Sequence, residues 1–188
     1  MPMNAVHRRL CRSDSWAQRM RAQVLPWAMR DVPLDGRRVL ELGPGYGITS
    51  TWLLEQGAQL TAVEVDPDLA RALREQFGER IDVREGDGAQ LPFDDGSFDV
   101  VVCYTMLHHV PSPAQQDRLF GEAARVLGSG GTFAGSDSRL SLRFRLLHIG
   151  DTMVPVDPDL LPERLRAAGF RDAKTSLGGR SYRFRATR

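Results

Sequence analysis

Three glycines set two residues apart, in Leu42-Gly43-Pro44-Gly45-Tyr46-Gly47, follow the apolar run Val39-Leu40-Glu41-Leu42 and precede a helical pattern. Glycine has no Cβ and tolerates positive φ, so a ligand can lie directly against the backbone of such a strand-to-helix turn. The site is of nucleotide type. Dinucleotide enzymes space their glycines G-x-G-x-x-G, and here Ile48 stands where the third would fall, which points away from NAD. The next apolar run, Leu60-Thr61-Ala62-Val63-Glu64, ends in a carboxylate just before Pro67 opens a helical pattern. Glu64 at the end of a parallel strand beside the glycine turn can accept from both hydroxyls of a ribose. Asp66 and Asp68 stand where acids favour the positive end of the following helix.

Further along come Gly86-Asp87-Gly88-Ala89-Gln90-Leu91-Pro92-Phe93, the run Ser97-Phe98-Asp99-Val100-Val101-Val102-Cys103, and Tyr104-Thr105-Met106-Leu107-His108-His109. A neutral imidazole after the fourth strand can take a proton from a hydroxyl or protonated amine, which makes His108 the candidate base, with Tyr104 and His109 beside it. In order and spacing, E-L-G-P-G-Y-G, V-E-V-D-P, G-D-G-A-Q-L-P-F, S-F-D-V-V-V and L-G-S-G-G-T resemble the class I S-adenosylmethionine-dependent methyltransferases over residues 37–137. The resemblance is to the type 11 branch, which modifies small molecules. It implies S-adenosyl-L-methionine as cofactor, S-adenosyl-L-homocysteine as product, and methyl transfer by positioning rather than by a strong catalytic constellation. By the same resemblance, Gly43, Gly45 and Gly47 pass beneath the methionyl and ribosyl parts and Glu64 holds the ribose. Val65 packs on the adenine, Asp87 accepts from its amino group near the Gly88 N–H, and Glu41 and the Cys103 carbonyl order the methionyl end. The paired histidines match the family's L-H-H stretch, which is structural in many members. Cys103-Tyr104-Thr105-Met106 departs from the N/D-P-P-Y sequence of adenine N6 methyltransferases.

These residues need a scaffold, and 188 residues with 41% hydrophobic content are enough for one well-buried domain. Strand patterns near 38–42, 59–64, 81–84, 98–103 and 131–136 alternate with helical ones near 48–56, 68–77, 113–127 and 158–168. A closing antiparallel hairpin at 172–177 and 181–186 follows. The expected fold is a Rossmann-like, doubly wound α/β domain with a mainly parallel seven-stranded sheet and an antiparallel C-terminal hairpin. Residues 38–137 form its cofactor-binding core, residues 1–37 a helical cap, and residues 138–188 the acceptor-side segment and closing strands. Two stretches are left to recognise an acceptor: residues 4–30, with Trp16 and Met20 at helical spacing, and residues 139–156, with Phe144 and His148. Either also reads as an amphipathic helix packed on the core.

Charge is uneven. Residues 1–38 carry eight Arg against three Asp, and residues 139–188 eleven Lys plus Arg against five acids, so the acidic middle balances a total of +1. A sulfonium cofactor suits that middle, and the basic ends suit an acidic small-molecule acceptor, although ordinary solvated surface accounts for them as well. Cys11 and Cys103 form no C-x-x-C, and no Cys/His cluster is visible along the chain, so neither a disulfide nor a metal site is expected. The absence of a signal-peptide pattern and of a membrane-length apolar run leads to the expectation of a cytoplasmic protein. Two alternatives stay open: a nucleic-acid methyltransferase using the Arg-rich flanks, and a cofactor-binding or cyclase-like protein that transfers no methyl.

Overall fold

The computed structural model describes residues 4–188, so the first three residues of the expected cap lie outside the described residues. Strands β1 (Arg38–Leu42), β2 (Gln59–Glu64), β3 (Asp82–Glu85), β4 (Phe98–Tyr104), β5 (Leu127–Ser138), β6 (Arg171–Leu177) and β7 (Ser181–Thr187) form one sheet in the order β3-β2-β1-β4-β5-β7-β6. The first five are parallel, and β7 runs antiparallel to β5 and β6. Central strands such as Phe98–Tyr104 are buried almost throughout, because helices cover both faces of a parallel sheet. Two core clusters result. One packs Leu40, Val101, Phe120 and Phe133, and the other packs Val39, Leu53, Leu73 and Phe77.

Helices α4 (Ile48–Glu55), α5 (Pro67–Phe77) and α6 (Pro113–Val126) make the crossovers, with Asp66 and Ser112 capping the N-termini of the last two. The chain reverses direction across the sheet between β1 and β4, and such a switch point opens a crevice at the carboxyl ends of those strands. Both the glycine turn and residues 104–109 lie there.

Three expectations need correction in detail. Residues 4–30 are not one helix but α1 (Ala5–Cys11), α2 (Asp14–Arg19), a π-helical turn (Met20–Val24) and α3 (Leu25–Ala28). Ser13 starts a new helix by capping Trp16 N–H, and Pro26, lacking an N–H, cannot bond the carbonyl four residues back, which favours a widened turn before it. Strand β5 starts at Leu127 rather than 131, with a register shift opposite Phe98 and Val100 and with Gly130 at φ +76°. Residues 139–156 hold only the short α7 (Leu142–Leu147), and α8 (Leu161–Ala167) begins later than its pattern, its end marked by Gly169 at φ +99°.

Candidate active site

A cavity of about 890 Å³ opens at the switch point, large for a small-molecule site. Gly43 and Gly45 line its floor at φ +66° and +57°, and a Cβ on Gly45 would meet nothing within 4 Å, so the backbone there faces open space. Glu64, 5% exposed, has one carboxylate oxygen bonded by the Gly45 N–H at 3.0 Å and the other by the Asp66 N–H at 3.0 Å. The two loops are thereby locked together around a carboxylate that lines the cavity. Val65 presents an apolar side chain, 48% exposed, to the same space. Among the described residues the buried Tyr104 hydroxyl has no hydrogen-bond partner, and Tyr104 lines the cavity. A glycine floor, a carboxylate fixed by backbone donors, an apolar platform and an orphaned hydroxyl fit a nucleoside cofactor with a polar tail.

Other expected cofactor residues are not among those lining the cavity. Glu41 turns away, buried at 1%, and accepts from the hydroxyls of Thr49 and of Ser50 (2.6 Å); burial pushes its carboxyl up to about 7. Gly47, at φ +75°, answers to packing: a Cβ there would sit 2.7 Å from Phe77 and 3.0 Å from Leu73. Asp87 accepts from the Ala89 N–H on an exposed turn two residues beyond β3, and a Cβ on Gly88 would press on Leu119 at 3.1 Å. Cys103 is fully buried in β4.

Of the residues expected on the acceptor side, Trp16, Met20, Tyr104, His108, His109, Phe144 and His148 all line this one cavity. Met20 is also core, 1% exposed. Thr105, a β-branched residue at φ +52°, turns the chain from β4 into the 3₁₀ turn Leu107–His109. His108 is held twice by Asp137, through its backbone N–H (3.1 Å) and through Nδ1 (2.6 Å), and both residues are buried. Asp137 is a carboxylate acceptor, so Nδ1 carries the proton and Nε2 is the basic nitrogen. That nitrogen lies 3.2 Å from His148 Nε2. Burial pushes His109 down to about 3, and burial pushes the Cys11 thiol on the cavity wall up to about 11, with Asp151 adding to the shift.

Asp137 lies one residue before the end of β5, and the strand pattern in the sequence stops at 136, short of it. His7 Nδ1 pairs with Asp151 at 2.8 Å across 144 residues, a contact with no local signal in the sequence. Arg19, Arg139, Arg143 and Arg180 complete the wall. No helix among the described residues is long and apolar enough to cross a membrane.

A methyltransferase-domain family model, type 11, matches residues 40–135. The chain is 34% identical over 131 residues to the ubiquinone biosynthesis O-methyltransferase of Xylella fastidiosa, and 34% identical over 134 residues to that of Xanthomonas campestris. Each match covers 67% of this chain but 52% and 54% of those proteins, so the chain spans about half their length. A chain of the complex between the Haloferax volcanii Trm112 methyltransferase activator and a putative methyltransferase superposes with TM-score 0.77 at 17% identity, covering 100% of this chain and 99% of that one. At that identity the likeness is one of fold. PigF with SAH matches with TM-score 0.68 at 25% identity, over 89% of this chain and 55% of that one. With the family model spanning the glycine turn, Glu64 and the central strands, the chain belongs to the class I S-adenosylmethionine-dependent methyltransferases of the type 11 domain family.

Proposed function

We propose that the enzyme methylates a hydroxyl oxygen of a small-molecule acceptor, with His108 as the base. The observation that carries this reading is the buried Asp137–His108 pair, which fixes the ring with its Nε2 basic and at the wall of the cavity. S-adenosylmethionine supplies a methyl already activated by its sulfonium. Glu41, Gly43, Gly45, Gly47, Glu64, Val65, Asp87, Gly88 and Cys103 hold it in this reading, Glu41, Gly47, Gly88 and Cys103 by shaping the floor from behind. Trp16, Met20, Tyr104, His109, Phe144 and His148 enclose the acceptor and exclude water. The acceptor O–H bond breaks with its proton passing to His108 Nε2. The bound cofactor would supply the methyl to that oxygen, its sulfur keeping the electron pair of the S–C bond as the C–O bond forms. Oxygen is favoured over other atoms by the 34% identical relatives that bear the O-methyltransferase name. Arg19, Arg139, Arg143 and Arg180 on the wall support an acceptor that carries a carboxylate. The two free cysteines suit a reducing cytoplasm.

The test is a panel of phenolic, carboxylate-bearing, amine and thiol acceptors, read by S-adenosylhomocysteine release and by mass of the methylated product. A hydroxyl-bearing acceptor should be methylated on oxygen, and His108→Asn should lower its turnover about a hundredfold while the product still binds. Methyl appearing on amine or thiol, or His108→Asn with full turnover, would sink the reading.

A further inference from the structure

The chain has four histidines, at positions 7, 108, 109 and 148, and all four meet beside this cavity. Ring centroids lie 4.4 Å apart for His7 and His148, 5.2 Å for His7 and His109, and 5.4 Å for His109 and His148. Each Nδ1 is committed: His7 to Asp151 (2.8 Å), His108 to Asp137 (2.6 Å), His109 to the Thr152 carbonyl (3.1 Å) and His148 to the Phe144 carbonyl (2.8 Å). Carbonyls and carboxylates only accept, so in these rings Nδ1 donates and Nε2 is left with a lone pair. His108 and His148 then point two lone pairs at each other across 3.2 Å, an arrangement that repels unless a cation sits near. One ring nitrogen of each of His7, His109 and His148 lies within 4.8 Å of the other two.

We propose that His7, His109 and His148 bind one divalent transition metal of the zinc type, with its fourth position open to the acceptor. Three neutral imidazoles and an open position are the ligand set of a catalytic zinc site, whereas calcium and magnesium take oxygen ligands. The outer partners are those of such sites too, since ligating histidines fix their second nitrogen on a carboxylate or a backbone carbonyl. Zn–N bonds of about 2.0–2.1 Å in a tetrahedron put nitrogens roughly 3.4 Å apart, so the rings must close by about 1.4 Å at their longest edge. The ligands come from α1, the 3₁₀ turn and the end of α7, so the ion would tie cap, sheet edge and acceptor segment into one wall. At the open position it would hold the acceptor oxygen and ease loss of its proton. That role rests on the methyl-transfer reading above; metal binding itself does not.

The full chain, stripped with a chelator, is titrated with ZnCl₂ by calorimetry at neutral pH and with CoCl₂ by visible absorption. We expect one Zn²⁺ per chain with Kd below about 1 μM, tetrahedral Co²⁺ bands, and at least a hundredfold weaker binding in His7→Ala, His109→Ala and His148→Ala. Asp151→Asn keeps all three rings and should weaken binding about ten- to a hundredfold. Retained stabilisation by S-adenosylhomocysteine shows that a variant is folded. No bound ion, or an ion held equally well by the triple alanine variant, overturns the proposal. Zinc binding with methyl transfer confined to amines would instead uphold the site and defeat the oxygen reading.

Discussion

Glu64 and Asp68 are both acids near the start of α5, yet they do different work. Glu64 is 5% exposed and bonded by two backbone N–H groups, while Asp68 is exposed and pairs with Arg71 on the surface. Glu64→Ala should weaken S-adenosylhomocysteine binding by roughly 2–3 kcal/mol, the scale of lost charge-assisted hydrogen bonds. Asp68→Ala should cost only a few tenths. Calorimetry on the two variants checks this, and equal affinities would move the ribose elsewhere. Glu64 was legible because a β-branched run ends on it before a proline, a purely local signal. The histidine cluster was not, because its four rings come from three places up to 141 residues apart and nothing along the chain announces that β4, α1 and α7 converge.

Among the elements, β1 and α4 are joined by Glu41, whose buried carboxyl accepts from the Thr49 and Ser50 hydroxyls. Burial raises its pKa from the ordinary 4.5 to about 7. Below about 4.5 folded and unfolded chains both hold the proton. As pH rises the unfolded chain releases it first, so folding weakens by about 1.4 kcal/mol per pH unit until the folded pKa is passed. Glu41→Gln removes that slope. The melting temperature of the native chain should therefore fall relative to the variant between about pH 4.5 and 7 and run parallel to it above; a constant difference would mean that Glu41 is ionised in the fold throughout. The five parallel strands, the seven-strand count and the hairpin were readable because apolar period and turn residues agree there. The cap was misread as continuous because apolar spacing survives across breaks made by Ser13, a side-chain cap, and Pro26, a missing donor.

Across the whole molecule, the cap divides into a part that belongs to the core and a part that covers the cavity. Met20, Val24, Leu25 and Ala28 are buried among Val39, Leu53 and Val102, so Met20→Ala should cost roughly 2–5 kcal/mol of stability, as a buried truncation does. The preceding stretch is held mainly by residues 147–151 instead. The Asn4 side chain donates to the carbonyls of Leu147 and Ile149, and His7 pairs with Asp151. Val6, His7, Leu10 and Cys11 line the cavity, whereas Gly43, Gly45, Glu64 and Val65 are placed by the sheet and its turns. Deleting residues 1–13 should therefore leave S-adenosylhomocysteine affinity within about tenfold, or roughly 1.4 kcal/mol. Turnover of the acceptor should fall much further, because water enters and alignment is lost. Affinity, melting temperature and turnover measured on this one variant separate a cover from a structural element. Parallel collapse of all three would show that α1 is core in the way Met20 is, while loss confined to turnover identifies it as the wall that the acceptor meets.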